Sequence, residues 1–162
     1  MVYRLKPVSK ETERSLELAR GEALHYHHPY IGSEHLLLVL LRERTGRVAV
    51  LLERLQINEQ VLLPEVQALV QADIPARIRA KRYVPTTIKF LRLFIKPRFR
   101  LTRRAQRVIE LAYEEARREG HPVIEPEHLF WGILCENENA TGQLLQSKGL
   151  DVEQVHDAMV NM

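Results

Sequence analysis

Two glutamate–histidine pairs, Glu34-His35 and Glu127-His128, are the residues whose type and spacing best fit a chemical role in this chain. Each pair stands at the start of a strongly apolar segment. We therefore expect each glutamate in the first turn of a helix, where a carboxylate complements the positive end of the helix dipole. We expect each histidine to be held by a neighbouring backbone carbonyl group. The pairs allow either a binding role or a purely structural one.

Metal binding and nucleophilic catalysis are not favoured by the remaining reactive residues. His25, His27 and His28 stand near a predicted helix end and point in different directions, with no cysteine or carboxylate at zinc-ligand spacing. Cys135 lies in an apolar helix, where a free cysteine usually acts as a small core residue. The sequence also contains no Gly-x-x-x-x-Gly-Lys-[Ser/Thr] loop for nucleotide phosphates. We predict no catalytic residue, no metal, no cofactor and no enzyme activity.

The composition is that of a globular cytoplasmic protein. Of the 162 residues, 45% are hydrophobic and 28% are charged, a balance that supports a folded core. A single cysteine forms no internal disulfide, which favours a reducing compartment. No apolar run approaches the roughly 20 residues that span a bilayer, and the first residues lack the apolar stretch of a secretory signal.

The positive charge is concentrated in one segment. Residues 74–100 contain nine basic and no acidic residues, whereas the rest of the chain has 15 basic and 21 acidic residues. We call residues 73–100 the basic linker. Its candidate binding residues for an acidic partner are Arg79, Lys81, Arg82, Lys89, Arg92, Lys96 and Arg98.

Several roles for the basic linker stay open. It could form a strand or hairpin, pack across the groove between repeats, or bind nucleic acid or an anionic membrane. We favour a linker whose apolar residues cover the repeat junction while its charges face water. Nucleic acid and membrane are therefore not expected as the main partners.

An internal duplication organises the chain. Shifted by 93 residues without a gap, residues 8–57 align with residues 101–150 and are identical at 16 of 50 positions. His28-Pro29 falls on His121-Pro122, and the two glutamate–histidine pairs fall on each other. The domain prediction is a first repeat over 1–72, the basic linker over 73–100 and a second repeat over 101–162, together forming one compact domain.

Each repeat is predicted to contain four helices. Ser9 and Thr102 are N-cap candidates, and the first helices end before the two prolines. Apolar central helices begin near Ser33 and Pro126, and short helices follow over 48–55 and 141–148. Asn58 and Asp151 cap the last pair. The predicted fold class is all-α, with about eight helices in two pseudo-symmetric groups and an irregular or hairpin-like linker.

The doubled motif resembles the Clp N-terminal domain. Two copies of His-Pro-x-Ile-x-x-Glu-His-Leu are followed further along the chain by Leu51-Leu52 and Leu144-Leu145, respectively. Gly32-Ser33-Glu34-His35 closely matches the usual Gly-Thr-Glu-His pattern of that family. The second copy, Glu125-Pro126-Glu127-His128, keeps only the glutamate and the histidine. The resemblance covers nearly the whole chain apart from a linker longer than expected.

The resemblance implies a binding module. In that family the domain precedes the ATPase rings of protein unfoldases, receives adaptors and substrates, and in some members binds phosphorylated arginine. Ser33, Glu34 and Glu127 match the family's phosphoarginine positions, the glutamates taking the guanidinium and the helix N-terminus taking the phosphate. Pro126 has no N–H and Glu125 would repel an anion, so the first site is favoured over the second.

The predicted function is therefore a non-catalytic module that recruits adaptors or substrates to a Clp unfoldase or protease, or docks on one. Its expected partners are a Clp-family ATPase or protease, adaptor and substrate proteins, and phosphoarginine as a candidate ligand. The start at Met1 without a tag favours a free-standing relative, and the alternative is the front domain of a longer unfoldase. The alternative function is a regulator that binds nucleic acid or an anionic surface through residues 74–100.

Overall fold

The computed structural model describes residues 8–44, 46–72 and 100–162 of the chain. Eight α-helices form over these residues, and we number them in chain order. They are α1 Lys10–His25, α2 Ser33–Glu43, α3 Val48–Arg54, α4 Glu59–Ala72, α5 Arg103–Arg118, α6 Pro126–Cys135, α7 Ala140–Ser147 and α8 Val152–Val160. The predictions of an all-α fold and of about eight helices are confirmed.

The first helix of each repeat begins at the predicted N-cap. The Ser9 hydroxyl accepts a hydrogen bond from the Thr12 amide at 3.1 Å, and the Thr102 hydroxyl accepts one from the Ala105 amide at 3.1 Å. Both hydroxyls thus satisfy a backbone donor that the first turn leaves without a partner. Helices α1 and α5 have the same length, 16 residues, and end before the two prolines.

Helices α2 and α6 lie at the centre of the molecule. All residues of α2 from His35 to Leu41 are buried, as are all residues of α6 from Pro126 to Leu134. The two helices contact each other, and α1 and α5 pack on them. A helix that is apolar on all sides requires burial of this kind, so the sequence prediction of two central helices is confirmed.

The two repeats exchange backbone hydrogen bonds through a pair of isolated parallel β-bridges. Val8 pairs with Ile124, and Ile31 pairs with Leu101. The Ser9 amide donates to the Ile124 carbonyl at 3.0 Å, and the Thr102 amide donates to the Ile31 carbonyl at 2.9 Å. Because 93 residues separate each bridge residue from its counterpart, the two bridges are equivalent under the internal duplication.

Most of the basic linker lies outside the described residues. The predicted strand or hairpin, and the seven basic residues proposed to bind an acidic partner, fall within 73–99, so these predictions remain predictions. No helix of the described ranges is long and apolar enough to cross a membrane.

Candidate functional site

The first candidate site is formed by the start of α2 and the start of α7. Ser33 is buried, and its hydroxyl shares a hydrogen bond with the Thr141 hydroxyl at 3.0 Å. The Glu34 side chain is 22% exposed. Its carboxylate folds back over Gly32, where the β-carbon of any other residue would overlap it. Ser33 and Glu34 are thus brought together at one helix N-terminus, as the sequence predicts.

The second candidate site is formed by the start of α6 and the residue preceding α3. Glu127 occupies the position equivalent to Glu34, but its side chain is only 2% exposed. Arg47 Nη1 lies 3.5 Å from Glu127 Oε1. That distance brings the opposite charges together without a hydrogen bond, and Glu127 Oε1 has no hydrogen-bond partner. Burial raises the pKa of Glu127, whereas a hydrogen bond from its own backbone amide and the nearby His128 and Arg47 act in the opposite direction.

A cleft of about 400 Å³ opens beside this second site. Three glutamates and one arginine are among its lining residues, so the lining carries more acidic than basic residues. The lining residues are Glu11, Gly46, Arg47, His121, Glu125, Pro126 and Glu127. Glu11 belongs to α1 of the first repeat, so both repeats contribute to the cleft.

His35 and His128 hold the two helix starts by accepting hydrogen bonds. The Gly32 amide donates to His35 Nδ1 at 2.9 Å, and the Glu125 amide donates to His128 Nδ1 at 2.9 Å. The expectation of a backbone carbonyl partner is therefore wrong, because the free backbone groups at a helix N-terminus are N–H donors. The burial and the hydrogen bonds of both histidines nevertheless agree with the predicted structural role.

These bonds decide where each ring carries its proton. With Nδ1 accepting, Nε2 is protonated and donates: His35 to His28 Nδ1 at 2.7 Å, and His128 to Glu119 Oε2 at 3.0 Å. Burial and the neighbouring His28 lower the pKa of His35 to about 4. His35 is therefore neutral at pH 7, and its 3.4 Å approach to Glu34 is not an ion pair.

Sequence reasoning missed a cluster of acidic and histidine residues at the end of α5. The described residues contain two groups with closely spaced ligand atoms, Glu119 with His121 and His128, and Glu119 with Glu115 and His156. Side chains of the cluster already have partners within the protein, since Glu115 pairs with Arg118 at 2.7 Å and with His156 at 2.5 Å. His128 has no lone pair left for a metal in the tautomer that its amide contact requires.

Cys135 has the environment of a packing residue. It is half-buried at the end of α6 and contacts the core. Burial, together with the negative charge of Glu115, raises the pKa of its thiol to about 12. The thiolate is the reactive form of cysteine, so the raised pKa disfavours nucleophilic reactivity of this side chain near neutral pH.

The family model for the Clp repeat N-terminal domain matches residues 8–95 and 100–162, which is nearly the whole chain. This chain belongs to the Clp N-terminal domain family. Among sequence relatives, the chloroplastic chaperone protein ClpC1 of Oryza sativa subsp. japonica is 33% identical over 154 residues. The ClpA homolog of Porphyra purpurea, an ATP-binding subunit of the ATP-dependent Clp protease, is 31% identical over 154 residues.

The matches cover 93% of this Clp N-terminal domain but only 15% and 17% of the two relatives. Solved structures support the same fold. The N-terminal domain of ClpD from Arabidopsis thaliana has a TM-score of 0.67 at 18% identity and covers 99% of this chain and 97% of that one. The Hsp104 N-terminal domain from Candida albicans has a TM-score of 0.68 at 11% identity, covering 94% and 89%.

The two sites of this Clp N-terminal domain differ in the residue that the other repeat supplies. Thr141 reaches Ser33 at the first site, whereas Arg47 reaches Glu127 at the second. Neither partner was identified from the sequence, although the alignment at 93 residues places Arg47 opposite Ala140. This difference between an arginine in one copy and an alanine in the other was the sequence signal that the two sites have different partners.

Proposed function

We propose that this Clp N-terminal domain is a non-catalytic protein-binding module that works in the cytoplasm. It recruits adaptors or substrates to a Clp ATP-dependent unfoldase or protease, or docks on one. The observation that carries this proposal is the double repeat, which aligns over nearly its full length with part of larger Clp chaperones and protease ATP-binding subunits. The raised pKa of Cys135 also fits a non-catalytic role.

The first site supports a ligand that combines a guanidinium with a phosphate. The partly exposed Glu34 carboxylate offers a charge-assisted pair to a guanidinium. The first turn of α2 offers amide donors and the positive end of a helix dipole to a phosphate. Neutral His35 beneath them holds the turn in place. Phosphoarginine on an adaptor or substrate protein is therefore the proposed ligand of Ser33 and Glu34.

Binding to Clp components is the direct test of the module. The purified chain would be titrated against the purified Clp ATPase and protease of the same organism by biolayer interferometry. Degradation of a fluorescent Clp substrate would be followed in parallel. We expect saturable binding to the ATPase or protease, or a change in the degradation rate. A chain that binds neither partner and leaves degradation unchanged would contradict the proposal.

The ligand of the first site is tested by Glu34→Ala. Loss of one charge-assisted pair weakens binding by about 1.5–3 kcal/mol, which is about tenfold or more in affinity. Calorimetry with a phosphoarginine peptide measures this, and circular dichroism verifies that the variant stays folded. Equal affinities of the variant and the parent chain would remove Glu34 from the site.

A further inference from the structure

The end of α5 and the middle of α8 bring three potential metal ligands together, away from the first turns of α2 and α6. Glu115 lies in the last turn of α5, Glu119 directly follows that helix, and His156 lies in α8. One ligand atom from each of the three residues lies within 4.8 Å of the other two. We call these residues the α5–α8 cluster. Carboxylates and imidazole are ligands that zinc accepts in proteins.

Glu119 has a buried carboxylate oxygen without a donor. Its side chain is only 9% exposed. Its Oε2 accepts a hydrogen bond from His128 Nε2 at 3.0 Å, whereas Oε1 has no hydrogen-bond partner in the part of the chain that the structure describes. Leaving a buried charged acceptor unsatisfied is costly, and a cation at Oε1 would remove that cost. The bond from His128 would orient the ligating carboxylate, as outer-shell hydrogen bonds do at metal sites.

Glu115 and His156 meet in a contact that hydrogen bonds satisfy only in part. His156 Nδ1 lies 2.5 Å from Glu115 Oε1 and 3.0 Å from Arg118 Nη2. A protonated Nδ1 donates to Glu115 but then faces the N–H group of Arg118. An unprotonated Nδ1 accepts from Arg118 but then faces the carboxylate oxygen. A metal ion shared by Nδ1 and the carboxylate would resolve this conflict, because the Arg118 side chain is 57% exposed and can move into water.

The α5–α8 cluster belongs to the second repeat alone. At the shift of 93 residues that relates the repeats, Glu119 corresponds to Tyr26 and His156 corresponds to Leu63. Neither of these side chains in the first repeat is a usual zinc ligand. The cluster is therefore a feature in which the two halves of the duplication differ.

We propose that Glu115, Glu119 and His156 bind a zinc ion, which joins the end of α5 to α8 and displaces Arg118 from Glu115. Zinc is favoured over magnesium and calcium, because imidazole suits zinc and the other two ions take oxygen ligands. Glu115 and His156 lie 41 residues apart. Ligand spacing along the chain, on which the expectation of no metal was based, does not detect such a pair. The site goes beyond the proposed recruiting role.

Calorimetry of the whole chain with zinc chloride, after removal of metals by a chelator, tests the site. We expect one zinc ion to bind per chain, and magnesium chloride not to compete with it. Glu119→Gln and His156→Gln should each weaken zinc binding by at least about tenfold. His121→Gln is the matched control, since this half-buried ring also lies within 4.8 Å of a Glu119 oxygen, and it should keep the parental affinity.

Arg118 provides a second signal, because its Cζ lies 5.6 Å from the centre of the Trp131 ring. Its release from Glu115 should change the fluorescence of Trp131 when zinc is added to the parent chain, but not when the same amount is added to Glu119→Gln. Zinc should also raise the Tm of the parent chain, because a ligand that binds only the folded state stabilises it.

Three results would overturn the inference. They are the absence of zinc binding to the parent chain, parental zinc affinity in Glu119→Gln or His156→Gln, and loss of zinc binding in His121→Gln. Circular dichroism verifies that each variant is folded. If Glu119→Gln does not fold, His156→Gln decides, because this side chain is 30% exposed and its replacement is tolerated more easily. None of these results depends on whether the chain binds a Clp ATPase.

Discussion

His35 and Glu127, at the starts of α2 and α6, are both buried titratable residues, but their hydrogen bonding differs. Burial keeps His35 neutral, with both ring nitrogens in hydrogen bonds to Gly32 and His28. Burial also opposes the charged form of Glu127, but there a carboxylate oxygen remains without a donor. In the first arrangement hydrogen bonds satisfy the buried ring, and in the second the nearby charge of Arg47 compensates the buried carboxylate.

His35 should make the protein sensitive to mild acid. Its pKa is 6.5 in an exposed setting and about 4 in the fold. Between these values the unfolded chain binds the proton and the folded chain does not, so stability is complete above pH 6.5 and decreases as the pH falls towards 4. The loss amounts to about 3 kcal/mol. His28 and Glu34 are the titratable groups that face the ring.

Urea denaturation at pH 7.5 and pH 4.5 measures this effect. His35→Gln keeps an acceptor for the Gly32 amide, as glutamine does in a capping box, but it has no proton to gain. We expect this variant to lose most of the difference between the two pH values. His25→Gln, at an exposed residue of α1, is the matched control and should keep it. An unchanged pH dependence in His35→Gln would argue against the role of this ring.

Local sequence was sufficient to place Glu34, Glu127 and the two histidines in the first turns of two helices, because helix starts follow from nearby residues. It was not sufficient for Arg47 and Thr141. Their contacts cross from one repeat to the other, over 80 residues for Arg47 and 108 for Thr141. No spacing rule within a helix reports such a contact. The expectation that the histidines donate to backbone carbonyls was wrong, because the free backbone groups at a helix N-terminus are N–H donors.

The helices themselves were largely predictable from caps, prolines and apolar spacing. The close approach of α5 to α6 was not predictable from these signals. Gly132 of α6 lies against α5, and a β-carbon at this position would overlap the carbonyl oxygen of Val108. The equivalent residue in α2 is Val39, so the two repeats cannot pack this pair of helices identically.

Gly132→Ala should therefore destabilise the protein. The added methyl group forces α5 and α6 apart, and overpacking of this kind costs about 1–3 kcal/mol. Gly21→Ala is the control, since nothing lies within 4 Å of the equivalent atom on α1. That change should stabilise the chain by about 0.5–1 kcal/mol through helix propensity. Thermal denaturation of both variants measures the contrast, and equal effects would contradict the close approach.

At the scale of the whole molecule, the two repeats share one core. Buried residues from both repeats belong to a single hydrophobic cluster, and the β-bridges join the repeats at two equivalent positions. We expect the protein to unfold in one cooperative transition, which would also support the prediction of one compact domain over both repeats.

Leu16→Ala tests this cooperativity, because the substitution is in the first repeat and the fluorescent probe is in the second. Leu16 lies in the first repeat and is 1% exposed, so its truncation should cost about 2–5 kcal/mol. Trp131, the only tryptophan in the sequence, lies in the second repeat. We expect its fluorescence midpoint in urea to shift as far as the circular dichroism midpoint. A fluorescence midpoint that stays in place would mean that the repeats unfold separately.

The exchanged bridges also constrain how such a chain could have arisen. An ancestor with a single repeat would have left the amide of residue 9 and the carbonyl of residue 31 without their backbone partners. Two copies related by a two-fold axis would satisfy both, so the ancestral unit would have been a homodimer. Two repeats within one chain need not have the same residues, whereas the identical subunits of a homodimer must. Arg47 in one half and Ala140 in the other are a difference of this kind.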